Sequence, residues 1–173
     1  MSRGYRIQWA TASRVVKTTD KITLQVGFLG ILSEEEMRRL FRDELVRDGW
    51  KQQKGGKLSA EVSGVKVELD AEGKTVTATT GGERIVEGRA LTAAEAQERA
   101  EARQAQTEKA LLREAGERLA RIEPDLRAGL EAAVQRVYVE ALKRKAASFG
   151  AVESCSESTA EDGTHEVLIK VRT

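Results

Sequence analysis

The stretch TAAEAQERAEARQAQTEKALLREAGERLARIEPDLRAGLEAAVQRVYVEALKRKAASF, residues 92–149, decides how the rest of the chain is read. It is rich in alanine and charge and contains the sole proline, Pro124. Thr92-Ala93-Ala94-Glu95 has the form of a capping box, in which residues one and four satisfy each other's backbone donors at a helix start. From Ala96 to Glu108 there is almost nothing large to bury. Leu111, Leu112, Ala115, Leu119 and Ile122 then form an apolar stripe at helical spacing, and Leu126, Leu130, Ala133, Val134, Val137, Tyr138, Ala141 and Leu142 form a second beyond the proline. Pro124 disfavours helix at Glu123 and suits the first position of a new helix. The pattern therefore predicts a long helical hairpin over residues 92–148 whose poorly apolar first half projects; a kink in place of a turn would give one rod.

Upstream, the period is 2. Tyr5, Ile7 and Trp9, then Ile22, Leu24, Val26 and Phe28, alternate as one face of a sheet, with Thr19-Asp20 as a break between two antiparallel strands. Ser33-Glu34-Glu35-Glu36 is a capping box, and Met37, Leu40, Phe41 and Leu45 make the buried stripe of the helix it opens. The three glutamates suit the helix dipole and point in different directions, so they are a cap and not a metal cluster. Gly49 closes that helix, with Trp50 folding back on it. Leu58–Val62 reads as a strand, followed by Val65, Val67 and Leu69 paired with Val76 and Ala78 across the turn Asp70-Ala71-Glu72-Gly73. A further strand is expected around Glu83–Leu91.

Downstream, Ser148-Phe149-Gly150 ends the helix and a hairpin follows, Ala151–Thr159 and Thr164–Arg172 about the turn Ala160-Glu161-Asp162-Gly163. His165, Val167, Ile169 and Val171 share one face. Residues 41–79 and 140–172 thus repeat an order of helix, glycine cap with an aromatic neighbour, strand, turn and strand. The fold expected is α+β: an antiparallel sheet with two αββ repeats and a long projecting helical hairpin. Residues 1–91 form a β-rich unit, 92–148 the hairpin and 149–173 a β-hairpin packing on the first unit, all one folded domain.

Chemistry is sparse. With one cysteine, Cys155, and one histidine, His165, there is no internal disulfide and no ligand cluster for zinc or iron. No nucleophile, base or phosphate loop stands out, so no catalytic residue and no cofactor is assigned. No apolar run approaches the roughly 18–20 residues of a membrane span, and the first residues lack an apolar signal core, so the expected compartment is the cytoplasm. The net charge of +1 gives no global pull on nucleic acid; only the first strand region is locally basic, with Arg3, Arg6, Arg14, Lys17 and Lys21 against Asp20.

Two resemblances follow. SRGYRIQWATASRVVKTTDKITLQVGFLGILSEEEMRRLFRDELVRDGW (residues 2–50) with VKVELDAEGKTVTAT (65–79) resembles accessory domains that accompany FtsH-like AAA+ ATPases in bacterial three-component systems, often beside von Willebrand A-type partners. The C-terminal part, residues 137–173, with a helix, SFGAVES, an AEDGT turn and a closing HEVLIKV strand, resembles the end of a cyanobacterial and plastid family of unassigned function. AEAQERAEARQAQTEKA (94–110) fits as an insertion between the two. The resemblance implies a non-enzymatic adaptor or regulator with a protein partner, an AAA+ ATPase or a von Willebrand A-type component. On that reading the partner contacts are Arg99, Arg103, Gln104 and Lys109, which tune encounter and selectivity, with Leu111 and Leu112 as apolar anchors. Two alternatives stay open. One is a nucleic-acid module with Arg6, Arg14 and Lys17 on phosphates and Trp9 stacking on bases. The other is a self-assembling structural protein whose hairpins pair between copies as coiled coils.

Overall fold

Strand-forming and helix-forming stretches segregate along the chain as their periods require. The computed structural model describes residues 8–159 and 165–172. Its elements run β1 (Ala10–Gln25), α1 (Glu34–Arg47), β2 (Lys51–Gln52), a 3₁₀ turn (Lys54–Gly56), β3 (Leu58–Val62), β4 (Val65–Leu69), β5 (Thr75–Ala90), α2 (Ala93–Ala147), β6 (Ala151–Thr159) and β7 (His165–Arg172). A five-stranded antiparallel sheet has the order β1-β5-β4-β3-β2, and β6 and β7 form a separate two-stranded sheet. The fold class is α+β, and the helix–hairpin order recurs as α1 with β4–β5 and α2 with β6–β7.

Three expectations are corrected. The break at Thr19-Asp20 does not exist: covered and exposed residues alternate without interruption through β1, which carries Val15, Val16, Ile22 and Leu24 on one strand; Tyr5 and Ile7 lie outside the described residues. The stretch around Glu83–Leu91 likewise continues β5 and is not a further strand. The helical hairpin is a single 55-residue helix with Pro124 inside it. Pro124 is exposed, whereas Ile122 and Leu126 on either side of it are buried. A proline inside a helix costs about 3 kcal/mol, and each large aliphatic side chain kept from water contributes about 1.5–3 kcal/mol. Burial on both sides of the proline therefore outweighs the lost hydrogen bond.

The chain divides into two compact units, Met1–Ile22 with Ala78–Ile122 and Thr23–Thr77 with Glu123–Thr173. In the first unit, Val16, Val86 and Leu111 form a buried cluster. The start of α2 does not project. Ala96 and Ala100 are fully buried, and a Cβ at Gly88 of β5 would collide with the Ala96 carbonyl and the Ala100 amide. Small residues on both sides let strand and helix backbones touch, a form of burial that leaves no large side chain in the sequence to announce it.

In the second unit, Met37, Phe41 and Leu45 of α1 and Leu58, Val67, Leu69 and Val76 of the sheet are fully buried. Phe28 meets Phe41 edge to face with ring centroids 5.4 Å apart. The Ser33–Glu36 capping box forms as expected. At the other end of α1 the Trp50 amide donates to the Leu45 carbonyl and the Gly49 amide to Val46, with Gly49 at φ +92°, which is a Schellman closure. The β6–β7 ladder pairs Thr159 with His165 and Cys155 with Ile169, and Cys155 is half-buried. The turn between these strands lies outside the described residues.

Candidate partner-binding surfaces

On α2 of the first unit the expected contact residues separate into two groups. Arg99 donates to the Arg89 carbonyl (2.8 Å) and Arg103 to the Glu87 carbonyl (2.5 Å), so both guanidinium groups bind the backbone of β5. Gln104 accepts from Arg14 of β1 (3.2 Å). Leu111 is buried in the Val16–Val86 cluster and serves the core. Lys109 is exposed and Leu112 is 43% exposed; these two are the members of the set that face solvent without a side-chain bond among the described residues.

The basic strand is largely self-neutralised. Arg14 pairs with Glu101 (2.5 Å) and Lys17 with Glu83 (3.1 Å), while Arg6 lies outside the described residues. Trp9 is 61% exposed, and Val15, Ile85 and Leu91 of β1, β5 and the chain just after β5 are also more than half exposed.

A cavity of about 660 Å³ belongs to the second unit. Its walls come from the segment after β1 (Leu29, Ile31), from α2 (Tyr138, Val139, Leu142) and from β7 (Val167). The Tyr138 hydroxyl accepts from the Leu29 amide (3.2 Å), which ties one wall to another. At one end Glu44, a buried carboxylate, accepts from Arg136 Nε (2.9 Å) and Arg47 Nη1 (2.5 Å), and Arg136 Nη2 donates to Asp48 (2.5 Å). The hydrogen bond to Glu44, with the Asp48 charge behind it, raises the Arg136 pKa further above its already high value against the opposing effect of burial. At the other end Lys143 donates to Glu157 (3.2 Å), and that bond raises the lysine pKa. Glu140 pairs with Arg144 (3.0 Å). Glu166 also lines the cavity. It has no hydrogen-bond or ion-pair partner among the described residues. In the same set, no three His, Cys, Asp or Glu side chains gather as a metal site, and no helix is long and apolar enough to cross a membrane.

The model of one family, FtsH ternary system domain X5, matches the chain from residue 1 to residue 173. The chain belongs to this family. No curated protein and no solved structure matches it. Membership places the chain in a multi-component system and so supplies protein partners as a class. For a member of this family, the cavity of the second unit is the feature that sequence reading passed over. One signal for it was present. Glu44 follows Leu40 and Phe41 by four and three residues, so a carboxylate occupies the stripe of α1 that should bury, and a buried carboxylate requires a cationic partner. Which cation answers it, Arg136 at 92 residues' separation, is not written in either local pattern.

Proposed function

We propose that the chain is a non-enzymatic protein-interaction subunit, an adaptor or regulator of an FtsH-type AAA+ ATPase system, acting in the cytoplasm. The observation that carries this reading is the end-to-end match to an FtsH ternary system domain. The surface chemistry supports it: within each unit charged side chains pair across elements, while Trp9, Ile85 and Leu112 of the first unit and, separately, Leu29 of the second present apolar surface to solvent, side-chain types that contact surfaces use. The ATPase or a von Willebrand A-type component is the partner proposed, with Lys109 and Leu112 of α2 at one contact.

Co-expression with the ATPase of the same system, followed by affinity purification and measurement of the complex by calorimetry, tests this. Leu112→Asp is expected to weaken the complex about tenfold, the scale of an interface anchor, and Lys109→Glu to slow association at low salt. Retention of full affinity in Leu112→Asp moves the contact elsewhere. Absence of any complex with the other components of the system refutes the proposal.

A further inference from the structure

We infer that the cavity of the second unit is a docking trough for a segment of a protein partner that presents leucine-like side chains beside a lysine or arginine. The inference rests on the reading of the chain as a binding subunit and names what that subunit grips. The chemistry of the walls decides the class of occupant. Leu29, Ile31, Val139, Leu142 and Val167 supply apolar surface, and Leu29 stands 63% exposed over the opening. A small anionic ligand needs free, convergent cations, and here the cations are held: Arg47 and Arg136 by Glu44 and Asp48, and Lys143 by Glu157.

Charge then selects among apolar segments. Glu44, Asp48, Arg47 and Arg136 form a neutral quartet, and the Lys143–Glu157 and Glu140–Arg144 pairs are neutral as well. What remains is Glu166, exposed and without a partner among the described residues, so the trough offers one uncompensated carboxylate at its rim. That charge favours a cationic residue next to the apolar side chains. It repels phosphate, so neither an anionic lipid surface nor a nucleic acid suits this trough.

The test uses the full chain and two fluorescein-labelled model peptides, amphipathic 14-mers with leucine on one helical face and either lysine or glutamate on the other, read by fluorescence anisotropy. The lysine peptide is expected to bind tighter by up to about fivefold, the factor that an exposed ion pair of about 1 kcal/mol supplies. Glu166→Lys is expected to abolish or invert that preference, and Leu29→Asp to weaken both peptides about tenfold. Both residues are exposed, so these variants fold. Ile85→Asp, on the apolar surface of the first unit, is the control and is expected to change nothing. Equal affinity for the two peptides, indifference to Leu29→Asp, an equal loss in Ile85→Asp, or Leu29-dependent binding of phosphatidylserine vesicles in place of the peptides each overturns the trough. A complex with the ATPase that survives Leu29→Asp also overturns it while leaving the proposed function standing. The full peptide pattern without any complex among the system's components does the reverse.

Discussion

At Gly88 a single hydrogen atom sets how closely β5 and α2 approach, because a methyl group there would meet the Ala96 carbonyl and the Ala100 amide. Both are backbone atoms that cannot swing aside. Gly88→Ala is therefore expected to cost about 1–3 kcal/mol, the usual range for overpacking, measured as a lower urea midpoint at unchanged slope. Glu44 is the second sensitive residue. Removing it leaves Arg136 and Arg47 facing a space that held their shared carboxylate. Losing one member of a buried pair costs about 3–5 kcal/mol, and the partial exposure of Arg136 reduces this to about 2 kcal/mol for Glu44→Ala in the same assay. Glu36 gives a pH signature. Its bonds from the Ser33 hydroxyl and amide hold its pKa below the usual 4.5, so the folded protein binds its proton less readily than the unfolded chain does. The contribution is fully present above pH 4.5 and is lost as pH falls through the depressed folded value. The stability difference between the parent and Glu36→Ala is thus expected to be constant from pH 7 to about pH 5 and to shrink below pH 4.5; a constant difference down to pH 3 would remove the cap from the account.

At the scale of elements, α2 decides the most. Buried positions recur in steps of three and four on both sides of Pro124, with Ala115, Leu119 and Ile122 before it and Leu126, Leu130 and Ala133 after it, so the helix keeps an apolar face through the proline. The proline is then a tolerated defect. Pro124→Ala is expected to raise stability by about 1–3 kcal/mol and to increase the helical signal in circular dichroism, since alanine restores the amide and removes the ring clash. A turn at this position would give the opposite result, because proline favours the first residue of a new helix. β1 shows the same logic in a strand. Asp20 is a weak strand former, yet the alternation of covered and exposed residues continues through it, and its carboxylate is accommodated by accepting from the Lys21 amide (2.8 Å). Local propensity marked a boundary that pairing with β5 erased.

For the whole molecule the governing quantity is charge that is nearly balanced in total and paired in detail. With a net charge of +1, and with Arg14 and Lys17 occupied by Glu101 and Glu83, phosphate binding would have to break existing ion pairs. A single-stranded oligonucleotide at physiological salt is therefore expected to leave the tryptophan fluorescence unchanged; quenching that falls steeply with added salt would restore the nucleic-acid alternative. The sequence by itself determined the features that depend on neighbours in the chain. These are the Ser33–Glu36 cap, the Gly49–Trp50 closure, the β4–β5 hairpin and the boundaries of α2, because caps, tight turns and periodicity act over fewer than about five residues. Residues 2–50 and 65–79 also carried the family relationship that the match over residues 1–173 establishes, whereas the C-terminal motifs pointed to a different family. Tertiary structure alone decided that α2 passes through Pro124, that Ala96 and Ala100 are packed and not projecting, that Arg99 and Arg103 cap strand carbonyls, and that Glu44 meets Arg136. Each of these depends on what a distant segment places opposite: a glycine that admits a helix, a carbonyl that accepts a guanidinium, a cation for a buried carboxylate. Burial free energy and ion pairing are set by that neighbour, and a single chain read in order does not contain it.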